Sequence, residues 1–156
     1  MEFTPRLHDA LKNTKLNLQK ENGWDDDFVN MAVNEYGKFL HLRKIAMDNH
    51  SDKRIVPGEV VYKIWHDHIL HTKQYIEFCE KEFGGYLHHD PTDSLMEETI
   101  DFNSINDLYE GSFGYKPPKL FWPVNDQSKK ELNLSSTQDK QTKRKSVLQL
   151  LPFGGN

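Results

Sequence analysis

The sequence predicts an all-α protein: a compact bundle of about four helices followed by a disordered basic C-terminal tail. Three observations carry that prediction. Apolar residues recur at three-to-four spacing over four segments. Proline or acidic residues stand where those segments open, and glycines stand where they stop. The last stretch, by contrast, is polar and charged with almost no apolar content, a composition that cannot bury enough surface to order itself. Residues 1–124 therefore read as one helical domain and residues 125–156 as a flexible tail with a short apolar patch.

The first helix is expected over about Thr4–Lys20. Thr4 caps it, Pro5 takes the first helical position, where a missing N–H costs nothing, and Leu7, Leu11 and Leu18 share a stripe. Asn22-Gly23 ends it. The second helix opens on Asp25, Asp26 and Asp27, which suit the positive N-terminal end of a helix dipole. It runs through Phe28, Met31, Ala32, Glu35, Tyr36, Phe39, Leu40 and Arg43 to about Met47. Asn49–Arg54 is polar and reads as a connector. Pro57 then opens a long third helix, expected to continue to Phe83, where Gly84-Gly85 stop it.

Beyond it, Tyr86–Pro91 is expected to be extended, because a residue before proline avoids the helical basin. The fourth helix is expected from about Ser94 to Tyr109 or Gly111, with Asp93 or Ser94 as cap and Glu97 and Glu98 in its first turn. Phe113–Pro123 is an aromatic and proline-rich strap. In the tail, Val147, Leu148, Leu150 and Leu151 form the apolar patch, expected to dock on the body or to bind a protein partner. The cluster around Ser146, KRKSV, has the look of a basic phosphoacceptor or nuclear-import segment.

Charge and composition narrow the function classes. The chain carries a net charge of −4, but from Asp126 onward six basic residues face three acidic ones, so the tail is +3 and the body −7. An acidic body argues against a broad nucleic-acid surface, which needs a concentrated positive field. No apolar stretch approaches the roughly 20 residues of a membrane span. A single cysteine cannot form an internal disulfide, and the first nine residues lack the basic start and apolar run of a signal peptide. An intracellular location, cytoplasmic or nuclear, is the expectation.

Chemistry-bearing residues concentrate in one place. Residues 65–91, WHDHILHTKQYIEFCEKEFGGYLHHDP, hold five of the eight histidines and the sole cysteine. On a continuous helix at about 100° per residue, Val61, Ile64, Trp65, His68, Thr72, Tyr75, Ile76 and Cys79 share a broad face with His68 at its middle. His66 falls on the opposite side, about 160° from His68, while His71, three residues from His68, can share a metal with it. Cys79 lies roughly 16 Å along the axis from His68, too far for one ion. An extended return of four to five residues spans about 13–17 Å and brings His88 or His89 back toward His71. A zinc or iron site from His68, His71 and one of His88 and His89 follows as one expectation.

The competing expectation is structural. Histidine beside tryptophan on a nearly all-apolar helix serves as a buried, hydrogen-bonded strut, and Trp65, His66, His68, Tyr75 and Cys79 then form a structural motif. Cys79, between Phe78 and Phe83, reads as a small core residue. Enzyme templates are missing: the sequence has no glycine-rich phosphate loop, no HExxH and no nucleophile elbow.

The run WHDHILHTKQYIEFC, followed by FGGYLHHDP, resembles the plant and bacterial glycine-rich-domain-protein family, whose hallmark is WHxHxLxTxxYxxFC, an aromatic-glycine turn and HHxP. The resemblance is strong over Trp65–Pro91 and looser over the rest of Glu35–Trp122, where the Y…FG…PP…W ending also matches. It implies a lineage without an established reaction. That family favours an acid three residues before the tryptophan, and this chain has Tyr62 there, so any role of that acid in orienting a histidine or binding a ligand is weakened. The leading expectation is a non-catalytic binding or scaffold module. One alternative is a metal-binding protein or metal-dependent enzyme using the histidines; another, implied by plant relatives that join this domain to RNA-binding segments, is an accessory to RNA-associated machinery.

Overall fold

A computed structural model describes residues 4–51, 54–89 and 102–123. These residues form six helical segments and no strand: α1 (Thr4–Ala10), α2 (Lys12–Asn22), α3 (Asp26–Asp48), α4 (Glu59–Leu70), α5 (Thr72–Phe83) and α6 (Phe102–Phe113). The all-α expectation holds. The first and third predicted helices are each divided in two, and the second and fourth correspond to α3 and α6. Expectations for residues 90–101, including the start of the fourth helix, and for the tail from Val124 lie outside the described residues.

The division between α1 and α2 is slight. Leu11 leaves the helical basin at φ −100° and ψ 17°, yet its N–H still bonds Leu7 O at 3.0 Å and its carbonyl accepts from Lys15 N at 2.9 Å. Leu7, Leu11 and Leu18 are buried on one stripe, as their spacing predicts. The α3 start also follows the sequence: Asp25 caps it by accepting from Phe28 N at 2.8 Å, with Asp26 and Asp27 in the first turn.

Spanning 23 residues, α3 is the hub, packed against α1, α2, α4 and α6. Its Ala32, Val33, Tyr36, Phe39 and Leu40 are buried in a core shared with Val61, Ile64 and Trp65 of α4 and Tyr75 of α5. Trp65, His68, Tyr75, Phe78, Phe39 and Tyr36 are all buried.

Helix α4 starts two residues later than Pro57 predicts. Gly58 precedes its first residue, and the Gly58 N–H bonds Phe121 O at 3.0 Å. The strap lies so close that a Cβ on Gly58 would meet Phe121 O at 2.5 Å, so only glycine fits. A tertiary contact thus sets the boundary that the proline rule placed earlier. The α4–α5 break falls at His71, at φ −82° and ψ 62°, whose N–H bonds both Asp67 O and His68 O. At the far end, α6 runs through Gly111 to Phe113 and stops where Gly114 turns left-handed at φ 82°, donating to Glu110 O at 2.8 Å. Among the described residues no helix is long and apolar enough to cross a membrane.

Candidate functional site

Trp65, His68, Tyr75 and Cys79 are buried, and hydrogen bonds show what most of them hold. Trp65 Nε1 donates to the Tyr75 hydroxyl at 3.0 Å, and that hydroxyl donates to Leu87 O at 2.7 Å. One relay therefore ties α4, α5 and the returning segment 86–89. His68 is fully enclosed, with Nδ1 3.0 Å from the Tyr36 hydroxyl of α3. Tyr75 and Phe78 meet its ring edge-on at 5.0 and 5.4 Å between centroids. Its Nε2 has no hydrogen-bond partner among the described residues. Burial, followed by the neighbouring His71, pushes His68 down to about 4, so the ring is neutral at pH 7. Burial likewise pushes the Cys79 thiol up, against the Leu87 backbone and Tyr75 hydroxyl that favour its thiolate. A raised, enclosed thiol is a poor nucleophile.

The histidines expected to share an ion are in separate places. His68 is in the core, whereas His71 sits at the helix break with Nδ1 2.9 Å from Asp67 O and 3.3 Å from an Asp67 carboxylate oxygen. His88 is exposed beside Tyr86, 4.8 Å between ring centroids. His89 lies over Trp65 at 4.6 Å. Among the described residues no three His, Cys, Asp or Glu side chains gather in a metal-holding group. Where one continuous helix was expected there are two, α4 and α5, and the break at His71 ends their shared phase.

His66 is the larger surprise. Expected to point away from the returning segment, it faces it: the His66 and His89 rings are 6.3 Å apart and nearly perpendicular, and Tyr62 stacks on His66 at 5.8 Å. The Tyr62 hydroxyl is 3.1 Å from His89 Nε2. The returning segment was expected beside His71, and it lands instead on the Tyr62 flank of α4. The Tyr75–Leu87 bond decides that, holding Leu87 inward so that His89 falls on the Tyr62 side. Beside this cluster, Leu18, Glu21 and Asn22 of α2 and Tyr62, Lys63, His66, Asp67 and Leu70 of α4 line a groove of about 260 Å³.

A second buried network escaped the sequence reading. Glu35, 6% exposed, accepts from Trp122 Nε1 at 2.8 Å, from the Tyr109 hydroxyl at 3.0 Å and from Lys38. The Lys38 ammonium also reaches the Tyr115 hydroxyl and lies over the rings of Tyr109, Phe113 and Tyr115 at 5.7, 5.7 and 5.0 Å. Burial works against the Lys38 charge, but its bonds to Glu35 and Tyr115 outweigh that and raise its pKa. Burial, reinforced by Tyr115 and Glu35, pushes Tyr109 far up, while the Lys38 bond lowers Tyr115. The available signal was Glu35 itself, a carboxylate on the stripe that carries Ala32, Tyr36 and Phe39.

Residues 1–116 match the UCP032817-like family, and the chain belongs to it. Two proteins from Arabidopsis thaliana are similar to it over part of its length. Glycine-rich domain-containing protein 1 is 39% identical over 69 residues, 44% of this chain and 8% of that protein. Glycine-rich domain-containing protein 2 is 37% identical over 94 residues, 58% of this chain and 12% of its own length. The chain thus spans about a tenth of the relatives it matches. No solved structure matches it.

Proposed function

We propose that the chain is a non-catalytic binding module whose receiving surface is the groove between α2 and α4. One observation carries this reading: Trp65, His68 and Tyr75 of the signature bind the core's own groups, which leaves Tyr62, His66 and the groove as the open side of the same helix. At about 260 Å³ the groove is below the 300–1,000 Å³ of most small-molecule sites. It suits one anchoring side chain of a larger partner better than a free metabolite. That a stretch this short recurs within far longer plant proteins fits a module. An intracellular setting is consistent with Cys79, the sole cysteine, being unbridged and buried.

Photo-crosslinking tests the reading. A crosslinking residue at exposed Leu70, on the groove, should capture a discrete partner in cells, whereas one at Asp48, at the end of α3, should not. Equal capture at both positions would overturn the groove's role.

A further inference from the structure

We infer that Tyr62, His66 and His89 form a binding site for one divalent transition ion of the zinc–copper class at the mouth of the groove. The site goes beyond the binding-module reading and does not depend on it. Tyr62 and His66 stand four residues apart on α4, the spacing that puts two side chains on one helix face. His89 arrives from the returning segment, held in register by the Tyr75–Leu87 bond. A phenol and two imidazoles from two pieces of chain therefore lie together.

Distances support a shared ion. Two metal bonds of about 2.0–2.1 Å that meet between the octahedral and tetrahedral angles hold their donors roughly 2.9–3.4 Å apart. The Tyr62 oxygen and His89 Nε2, which share a hydrogen bond, are 3.1 Å apart, a spacing inside that range. Two imidazoles on one such ion have ring centroids roughly 4.5–5.5 Å apart, since each centroid lies about 3.2 Å from the ion. His66 and His89 stand at 6.3 Å, so His66 must close by about 1 Å. Its ring is exposed and stacked on Tyr62, and a side-chain rotation supplies that movement.

Donor chemistry selects the ion class. Imidazole favours zinc, copper and nickel over magnesium and calcium, which want oxygen throughout. Three protein ligands leave a coordination position for water or for a group entering the groove. On binding, the Tyr62 hydroxyl gives its proton to solvent and its oxygen bonds the metal as phenolate, so uptake releases protons.

The test uses the full chain, stripped of metal, with zinc and copper(II) salts as probes. Calorimetry should show one zinc bound per chain. His66→Ala and His89→Gln should each weaken it at least tenfold, while His71→Ala and His88→Ala leave it unchanged; the melting temperature of each variant confirms that it folds. Copper(II) should add a visible phenolate-to-metal charge-transfer band that Tyr62→Phe abolishes. Absence of one-to-one binding, binding that survives both His66→Ala and His89→Gln, or binding lost in His88→Ala overturns the site. An absent copper band, or zinc affinity unchanged in Tyr62→Phe, removes the tyrosine and with it the three-donor proposal.

Discussion

Glu35 and Tyr36 are neighbours on α3, and each begins a buried polar network. Tyr36 reaches toward α4 and α5, where its hydroxyl meets neutral His68 among aromatic rings. Glu35 reaches toward α6 and the strap, where a carboxylate meets an ammonium, a phenol and an indole. The first ties Tyr36 to His68 of the signature; the second joins residues up to 87 positions apart. Their chemistry differs as much as their reach. A neutral pair in the core resists protonation, whereas the buried Glu35 carboxylate depends on the partly buried Lys38 ammonium to compensate its charge.

The largest expected effect breaks the charged side. Glu35→Ala should cost about 3–5 kcal/mol, since it strands Lys38 and two further donors, and urea denaturation measures it. A loss below about 1 kcal/mol would show that water reaches Lys38 and replaces the carboxylate.

Acid should break the neutral side by about 3 kcal/mol. The folded value of His68, about 4, is below its ordinary 6.5, so between those two values the unfolded chain binds a proton that the folded chain refuses. Stability from this residue is therefore fully present above about pH 6.5 and is lost as pH falls toward 4. Denaturation midpoints of wild type and His68→Gln, taken from pH 7 to 4, should converge as the pH drops. Parallel curves would mean that the imidazole takes up its proton at the same pH in the fold as in the unfolded chain.

Smaller changes sharpen the comparison. Tyr36→Phe removes the hydroxyl facing His68 Nδ1 and should cost about 1–3 kcal/mol, because the nitrogen it leaves is enclosed. The same deletion at the rim of the charged network, Tyr115→Phe, should cost less than about 1 kcal/mol, since Tyr115 is 47% exposed and water takes its place at Lys38. Thermal melts read both, and equal losses would erase the distinction between core and rim.

The fold was legible wherever local chemistry agreed with the tertiary context. Asp25 at the head of α3, Gly84 after Phe83 and the leucine stripe of α1 and α2 act over a few residues, and pattern reasoning reaches that range. Pro57 misled because the strap's contact with Gly58 is local in space and distant in sequence. His71 misled for a related reason. Nothing in ILHTK forbids a helix, yet the break there lets α5 depart from α4 and carry Tyr75 to Leu87.

By itself, then, the sequence determined the all-helical class, the burial of Trp65, His68, Tyr75 and Cys79, and the concentration of histidine chemistry around α4. All follow from residue type and short-range spacing. Only the tertiary structure decided how those histidines are sorted, with His68 in the core, His71 at a helix break and His66 beside His89 and Tyr62. It also joined Glu35 and Lys38 to Tyr109, Tyr115 and Trp122. The physical reason is common to both. Which side chains meet across a bundle depends on the direction in which each chain segment returns, and that direction is set by contacts between residues far apart in the sequence.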